Sequence, residues 1–435
     1  MIGKILNFLS FFAIFISFIA FLGTKLIPVL LIISLIPPHH CQLSKGSDIL
    51  NEVPLIDGHN DLPYNLYRVE HNRLKNFRFN SDLRQNRKWV NSKADTYTDL
   101  PRLRKGKVGG QFWVAFVECD SNYCDAVERT IDQIDVIKRL IKKYPKDLEY
   151  VTQSDQIMEA FNAGKIASMI EIEGGHSIDS RLSALRLFYE LGVRCMTLTH
   201  NCNTPWADNN LVDSTPDSKK KGLTRWGQNV VKEMNRLGMI VDISHVSEGV
   251  MVDTLRISSA PVIFSHSSVF SIVGHTRNVK DHVLKMLKKN RGVIMINFAA
   301  PFVSSQNATI YDVVKHINYV KNLIGVDHIG IGADYDGVAV MPKGLEDVSK
   351  YPAIFDILAE GGKDWTAWTP EELKKLAGLN LIRIFREVEE VRDRMKNVDI
   401  IDDPIPYKDV MKENPDVKKC RLDVDHYKNA YYYYS

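Results

Sequence analysis

Leu55-Ile56-Asp57-Gly58-His59-Asn60-Asp61 is the stretch on which the fold reading turns. Residues of strand length run into a His-x-Asp pair. Alternate residues of a strand share a face, so an imidazole and a carboxylate leave the strand end side by side, aimed at one point. Imidazole nitrogen with carboxylate oxygen is a ligand set suited to zinc. One such pair is weak support for a metal; its weight here comes from repetition.

Five more runs end in the same manner. Residues 167–173 close on Glu173, followed by Gly174-Gly175-His176. Residues 195–200, 239–245 and 261–266 close on His200, His245 and His266, and residues 328–334 close on Asp334. Each run is short and apolar, as expected of a strand buried on both faces, and each turns abruptly polar at its C-terminal end. Between the runs lie segments with helical spacing. Val127, Ile131, Ile134, Ile137, Leu140 and Ile141 recur mostly at intervals of three and four within 126–143. Residues 182–191, 226–237 and 279–289 read similarly.

Strands alternating with helices imply a parallel sheet with right-handed crossovers. An open doubly wound sheet gathers ligands at one switch point. A closed barrel draws catalytic groups from the C-terminal ends of many strands around one mouth. Candidates spread from His59 to Asp334 favour the second, an α/β protein built as a (β/α)8 TIM-type barrel with its metal site at the C-terminal mouth. No glycine-rich phosphate cradle opens a helix.

His59, Asp61, Glu173, His245 and His266 supply three imidazoles and two carboxylates. A single zinc with an open position needs only three protein ligands. Five ligands, one able to bridge, point to two metals about 3.5–4 Å apart. His59 and Asp61 then hold one ion, His245 and His266 the other, with Glu173 between. Hydrogen-bonded core polar groups would explain any one of these histidines, but not five such residues at the ends of apolar runs. Glu171 and Asp242 lie within their strands and are expected to pair internally. Asp208 and Asp336 are read as loop-fixing carboxylates, and His176 as standing behind the ligands.

The chain is 45% hydrophobic and 25% charged, ordinary for a globular protein. A net charge of +3 over 435 residues offers no electrostatic case for nucleic acid. Lys219-Lys220-Lys221 reads as a solvated loop. Residues 5–36 are almost wholly apolar, and 5–23 alone approach the ~20 residues that cross a bilayer. Ala20-Phe21-Leu22 is a poor cleavage site. The expectation is an uncleaved signal anchor in the cell membrane with the catalytic domain extracellular; secretion after leader cleavage is the alternative. The C-terminal Tyr431-Tyr432-Tyr433-Tyr434-Ser435 lacks the apolar tail of a lipid-anchor signal. The division is 1–50 leader and stem, 51–400 catalytic domain, 401–435 C-terminal extension. The sequon Asn307-Ala308-Thr309 fits an extracellular, glycosylated domain. Six cysteines are present, and spacing alone does not pair them.

Asp57-Gly58-His59-Asn60-Asp61-Leu62-Pro63 and Glu173-Gly174-Gly175-His176-Ser177-Ile178-Asp179 resemble motifs of the membrane dipeptidase (renal dipeptidase) family. So do Thr197-Leu198-Thr199-His200-Asn201-Cys202-Asn203-Thr204-Pro205-Trp206-Ala207-Asp208, Val262-Ile263-Phe264-Ser265-His266-Ser267-Ser268 and Gly332-Ala333-Asp334-Tyr335-Asp336-Gly337. The similarity runs in the family's order from about Val53 to Cys420. It implies an amidohydrolase-type barrel that hydrolyses dipeptides, with two Zn2+ per chain on His59, Asp61, Glu173, His245 and His266. It implies that His200 contacts substrate near the scissile carbonyl, that Arg277 holds the substrate's free carboxylate, and that Asp334 carries the proton. Tyr64 and Phe302 are candidates to line the pocket. The substrates implied include dipeptides with a C-terminal D-residue, cysteinyl-glycine conjugates and some β-lactams.

The cysteines both fit the resemblance and depart from it. Cys119 and Cys202 fall where vertebrate members form an intrachain disulfide, and Cys420 where two subunits are linked, which implies a homodimer. A second intrachain bridge is missing, with Val273 and Ser305 in its places. Cys124 and Cys195 have no obvious counterpart.

General chemistry supports these roles independently. Metal binding lowers the pKa of water toward roughly 7, so hydroxide shared by two zincs can attack a peptide carbonyl. A zinc and His200 can meet the oxyanion, and Asp334 can relay a proton to the leaving amine. A guanidinium grips a carboxylate with two parallel hydrogen bonds, so Arg277 selects substrates that end just past the scissile bond. Two rivals remain: a metal hydrolase of the same barrel acting on another amide, and an inactive binding protein that kept the scaffold. The intact ligand set argues against the second.

Overall fold

In chain order the strands are β1 (Leu55–Asn60), β2 (Val108–Phe116), β3 (Leu148–Tyr150), β4 (Ile166–Glu173), β5 (Val193–Thr197), β6 (Ile240–Asp242), β7 (Ile263–Ser267), β8 (Val293–Ile296) and β9 (Ile329–Ile331). β1 pairs in parallel with β2 on one side and β9 on the other. From β9 the order runs through β8, β7, β6 and β5 to β4, which pairs back onto β2. The closed parallel barrel therefore has eight strands, with β3 beside them. β3 pairs with Ile166, Ala167 and Ser168 at the start of β4, and β5 takes over from Ile170. This computed structural model describes residues 45–92, 96–215 and 222–414. The apolar N-terminal run, Cys41, the lysine triplet and Cys420 lie outside the described residues.

Every residue of β1 and β4 is buried. That two-sided burial is why these runs read as nearly continuous apolar stretches rather than alternating ones. The principal helices are α1 (Ala126–Lys143), α2 (Ser154–Asn162), α3 (Leu182–Glu190), α4 (Arg225–Leu237), α5 (Glu248–Ile257), α6 (Asp281–Asn290), α7 (Ile310–Ile324) and α8 (Asn380–Met395). Helices α3 to α7 each cross between successive barrel strands, while α1, β3 and α2 share the crossover from β2 to β4. Local chemistry sets their ends. The Thr224 side chain accepts the Gly227 N–H at the start of α4, and Gly238, at φ +79°, terminates it. Ile384, Phe385 and Val388 of α8 join Ile56, Phe112, Met169 and Met295 in one buried apolar cluster. Among the described residues no helix is long and apolar enough to cross a membrane.

The helix at 126–143 lies where its spacing predicts, and the other three agree with small shifts at their ends. Three strands stop short of the ends of their apolar runs. β5 ends at Thr197, β6 at Asp242 and β9 at Ile331, so His200, His245 and Asp334 ride on the loops just beyond. His245 and Asp334 adopt φ of +61° and +66°. For non-glycine residues this conformation costs about 1–3 kcal/mol and persists only where the surroundings impose it. β2 and β8 are not marked in the sequence by a polar, metal-binding type of residue at the strand end. β2 ends on Phe116 and β8 is followed by Asn297, neither of them a metal ligand of the expected kind.

Candidate metal centre

Glu173 is the last residue of β4 and stands at the middle of the barrel mouth. Its Oε1 lies 3.1 Å from His245 Nε2, 3.5 Å from His266 Nε2 and 3.6 Å from His59 Nε2. His200 Nε2 is 3.9 Å from the same oxygen. Asp61, just past β1, places Oδ2 3.3 Å from His59 Nε2. The five expected ligands thus converge on one point from four strands. Donor atoms lie within 4.8 Å of one another in three groups: His59 with Asp61 and Glu173, Glu173 with His200 and His245, and His59 with His266 and Asp334. The first group agrees with one half of the expected division. The others bring in His200 and Asp334, which the sequence reading assigned to substrate.

The side chains fit a cation. His59 is fully buried, yet neither ring nitrogen has an aligned hydrogen-bond partner. A buried polar atom left so costs about 1–3 kcal/mol. His245 Nε2 and His266 Nε2 face each other at 2.9 Å, so at most one of them carries a proton and the remaining lone pairs converge. Burial drives both rings well below the ordinary imidazole pKa, with Arg277 and neighbouring rings adding to the effect. Burial, then His176 and Arg277, bring His200 down to about 3. Neutral imidazole is the form that ligates metal.

The carboxylates move the other way. Burial raises Glu173 well above the usual range; His59 opposes this, and Asp61, Asp334 and Glu171 reinforce it. Burial also lifts Asp334 to about 6. On His59 burial works against charge, but Glu173 and Asp61 outweigh it and hold the ring above its ordinary value. A buried group of acids without enough cation beside it is the electrostatic signature of a missing positive charge.

Beside these groups a cavity of about 450 Å³ opens to solvent. Tyr64, His200, Arg277, Phe302 and Asp334, the residues expected to meet substrate, all line it. Arg277 is 4% exposed. One Nη donates to the His266 carbonyl at 3.1 Å, and its Nε has no hydrogen-bond partner among the described residues. Asp334 accepts from Asn297 Nδ2 at 3.0 Å. Tyr64 donates to Glu118 at 2.8 Å. Gly337 closes the acidic side: a Cβ there would sit 2.2 Å from Asp61 Oδ2 and 2.5 Å from Asp334 Oδ1. Only glycine lets the backbone approach both carboxylates.

Several residues of the site were not singled out from sequence. Phe116, His275 and Arg68 line the cavity, and Asn297 braces Asp334. Nothing in their local patterns marks them. Glu171, expected to pair internally, lies two residues before Glu173 on the same strand and so shares its face. Its Oε2 is 3.3 Å from His59 Nδ1. His176 stands behind the ligands, with Nε2 3.0 Å from the Val117 carbonyl. Asp208 and Asp336 accept from the backbone N–H groups of Gly222 and Tyr97 and so fix loops. Cys119 and Cys202 are joined in a disulfide that ties the loops after β2 and β5. Among the described residues Cys124 and Cys195 have no disulfide partner, and Asn307 is exposed.

Residues 43–399 match the membrane dipeptidase family, peptidase family M19, and the chain belongs to that family. Its chemistry is the metal-dependent hydrolysis of dipeptides. Solved structures share the fold. A metallo peptidase from Rhodobacter sphaeroides, liganded with a phosphinate mimic of the dipeptide L-Ala-D-Ala, is 24% identical with a TM-score of 0.66; the match covers 77% of this chain and 99% of that one. The metallo peptidase dipeptidase AC gives 24%, 0.67, 77% and 98%. The probable dipeptidase PvdM from Pseudomonas aeruginosa gives 18%, 0.68, 80% and 98%.

Proposed function

We propose that this member of the membrane dipeptidase family is a binuclear zinc dipeptidase. His59 and Asp61 would hold one Zn2+, His245 and His266 the other, and Glu173 both. The observation that carries this reading is the position of Glu173 Oε1, within 4 Å of four imidazole nitrogens at the base of a cavity. Two zinc ions held there would supply a water made nucleophilic near neutral pH and a Lewis acid for the scissile carbonyl.

The chain's own groups do the rest. Arg277, buried and with a free Nε–H, grips the substrate's terminal carboxylate and so sets the scissile bond over the ligands. His200, neutral at working pH, donates a hydrogen bond to the developing oxyanion. Asp334, its pKa lifted toward the working range, takes a proton and returns it to the leaving amine. Tyr64 and Phe302 shape the walls. The relative that holds a mimic of L-Ala-D-Ala supports acceptance of a C-terminal D-residue, and the same grip on a terminal carboxylate suits cysteinyl-glycine conjugates.

The Cys119–Cys202 bond supports an extracytoplasmic setting, since such bonds persist in oxidising compartments. The apolar N-terminus would tether the domain to the membrane, Cys420 would link a homodimer, and Asn307 would carry glycan. Zinc analysis of the purified chain should give two ions per chain. Gly-D-Phe should be cleaved, chelation should stop cleavage, and zinc should restore it. Cleavage that persists after complete chelation would end this reading.

A further inference from the structure

Four buried side chains lie directly beneath the ligands, one on each of four adjacent strands. Glu171 is on β4, Thr197 ends β5, Asp242 ends β6 and Ser265 is on β7; all four are fully buried. Thr197 Oγ1 lies 2.6 Å from Asp242 Oδ2 and 3.2 Å from Glu171 Oε1. Ser265 Oγ donates to Asp242 Oδ2 at 2.7 Å. At the two ends stand two imidazoles. Glu171 Oε2 is 3.3 Å from His59 Nδ1, an ion-pair distance rather than an aligned hydrogen bond, and Ser265 Oγ is 2.7 Å from His266 Nδ1. The backbone N–H groups of Ser244 and Ser265 hold Asp242 Oδ1 at 3.0 and 2.8 Å.

Proton counting gives this arrangement a direction. Asp242 is bound by two hydroxyl and two N–H donors, so it takes the hydroxyl protons of Thr197 and Ser265. Ser265, its own proton given away, can only accept from His266. His266 must then carry its proton on Nδ1 and present a bare Nε2 to the mouth. Thr197, its one proton given to Asp242, can only accept at its other contact, so Glu171 carries its proton on Oε1 toward Thr197 and leaves Oε2 for the Nδ1–H of His59, whose Nε2 faces Asp61 and Glu173. His245 is held separately, through Asn201 Oδ1 at 3.2 Å.

We propose that Glu171, Thr197, Asp242 and Ser265 form one chain of positioning residues that fixes the Nδ1–H tautomers of His59 and His266 and thereby couples the two metal subsites. This rests on the two-metal reading above. A partner on the non-ligating nitrogen fixes ring orientation and basicity, and its loss typically lowers metal affinity or activity about 10–100-fold. The special feature here is that the two partners are joined to each other. Loosening one end is therefore felt at the other.

The test is zinc affinity of the full-length chain, read by competition with a chromophoric chelator, together with the visible absorption of the Co2+-loaded protein. Glu171→Ala and Ser265→Ala should each weaken zinc binding about 10–100-fold and alter the cobalt spectrum. Glu171→Gln keeps an acceptor carbonyl at nearly the same volume and should recover much of the loss, which a packing defect would not do. Thr197→Val removes the central hydroxyl at constant shape. In that background the Glu171→Ala and Ser265→Ala losses should become additive, whereas with Thr197 present they should not. Affinities within twofold of the parent for both alanine variants would overturn the positioning role. Additive losses with Thr197 intact would overturn the coupling. A parent chain that binds neither zinc nor cobalt would overturn the two-metal reading itself, and this proposal with it.

Discussion

The barrel mouth has two unlike sides. Around β1 and β9 it is acidic, with Asp61, Asp334 and Asp336 packed against Gly337. Around β5 to β7 it is made of imidazoles, His200, His245 and His266, with the guanidinium of Arg277 beside them. Burial acts on both and pushes them in opposite directions, Asp334 and Asp336 up and the three rings down. The lesson is that desolvation, reinforced by like charges nearby, prepares both halves for a cation. The rings are kept neutral and able to ligate, and the acids are left short of a positive charge that a divalent ion would supply. Glu173 stands on the line between the sides, and His59 is the one imidazole drawn into the acidic half.

If the halves work only when joined, the residue between them has the largest effect. Glu173→Gln keeps the volume and removes the shared charge. Turnover of Gly-D-Phe should fall about a thousandfold or more, comparable to the loss of a principal electrostatic group, and zinc content should drop below two per chain. Steady-state kinetics with metal analysis would check this. A variant that keeps both zinc and rate would show that the two sides act independently.

Next in size is the imidazole side alone. Arg277→Lys preserves the charge that adds to burial in keeping the rings neutral but loses the planar fork. kcat/KM should fall about 10–100-fold, from the loss of charge-assisted hydrogen bonds to a carboxylate. The loss should disappear when the substrate is a dipeptide amide, which has no terminal carboxylate to grip. An equal loss on acid and amide would assign Arg277 to tuning the rings rather than to recognition.

How much of this was legible beforehand follows from the same division. His59, Asp61, Glu173, His245 and His266 could be read because each stands at the end of an apolar run, where a change of character is visible in one dimension. The barrel followed from their number and spread. β2 and β8 stayed hidden because neither closes on a ligand. Phe116 and His275 stayed hidden because a cavity wall is assembled from strand ends and loops distant in sequence, with no pattern that marks the lining residues. The left-handed turns at His245 and Asp334 were also invisible, since neither residue type is one that announces a positive φ as glycine does. Arg277 and His200 were assigned through resemblance to a family rather than from spacing.

The smallest effect is one of stability, and it separates the sides by sign. His316 on α7 is fully buried behind the imidazole side. The Val269 N–H donates to its Nδ1 at 3.0 Å, and its Nε2 lies 3.1 Å from the Val303 carbonyl. Both nitrogens are thus committed, one accepting and one donating, and a second proton would have to displace the Val269 contact. Burial, opposed by the Val303 bond, brings its pKa down to about 4. A ring whose folded pKa is depressed stabilises the fold above its unfolded value near 6.5, and that contribution is lost as pH falls through 4. It amounts to about 3 kcal/mol at most. A buried carboxylate such as Asp336, lifted to about 7, has the opposite sign: it weighs against the fold above its unfolded pKa and is relieved as pH falls. The parent's acid curve is therefore a difference of the two sides. His316→Gln should remove only the imidazole share, leaving a variant less stable than the parent at pH 7 but with a flatter decline between pH 6.5 and 4. Urea unfolding midpoints across that range would measure it. Parallel curves for the two proteins would mean that His316 does not titrate there, and that the acid sensitivity of the imidazole side lies in the rings at the mouth.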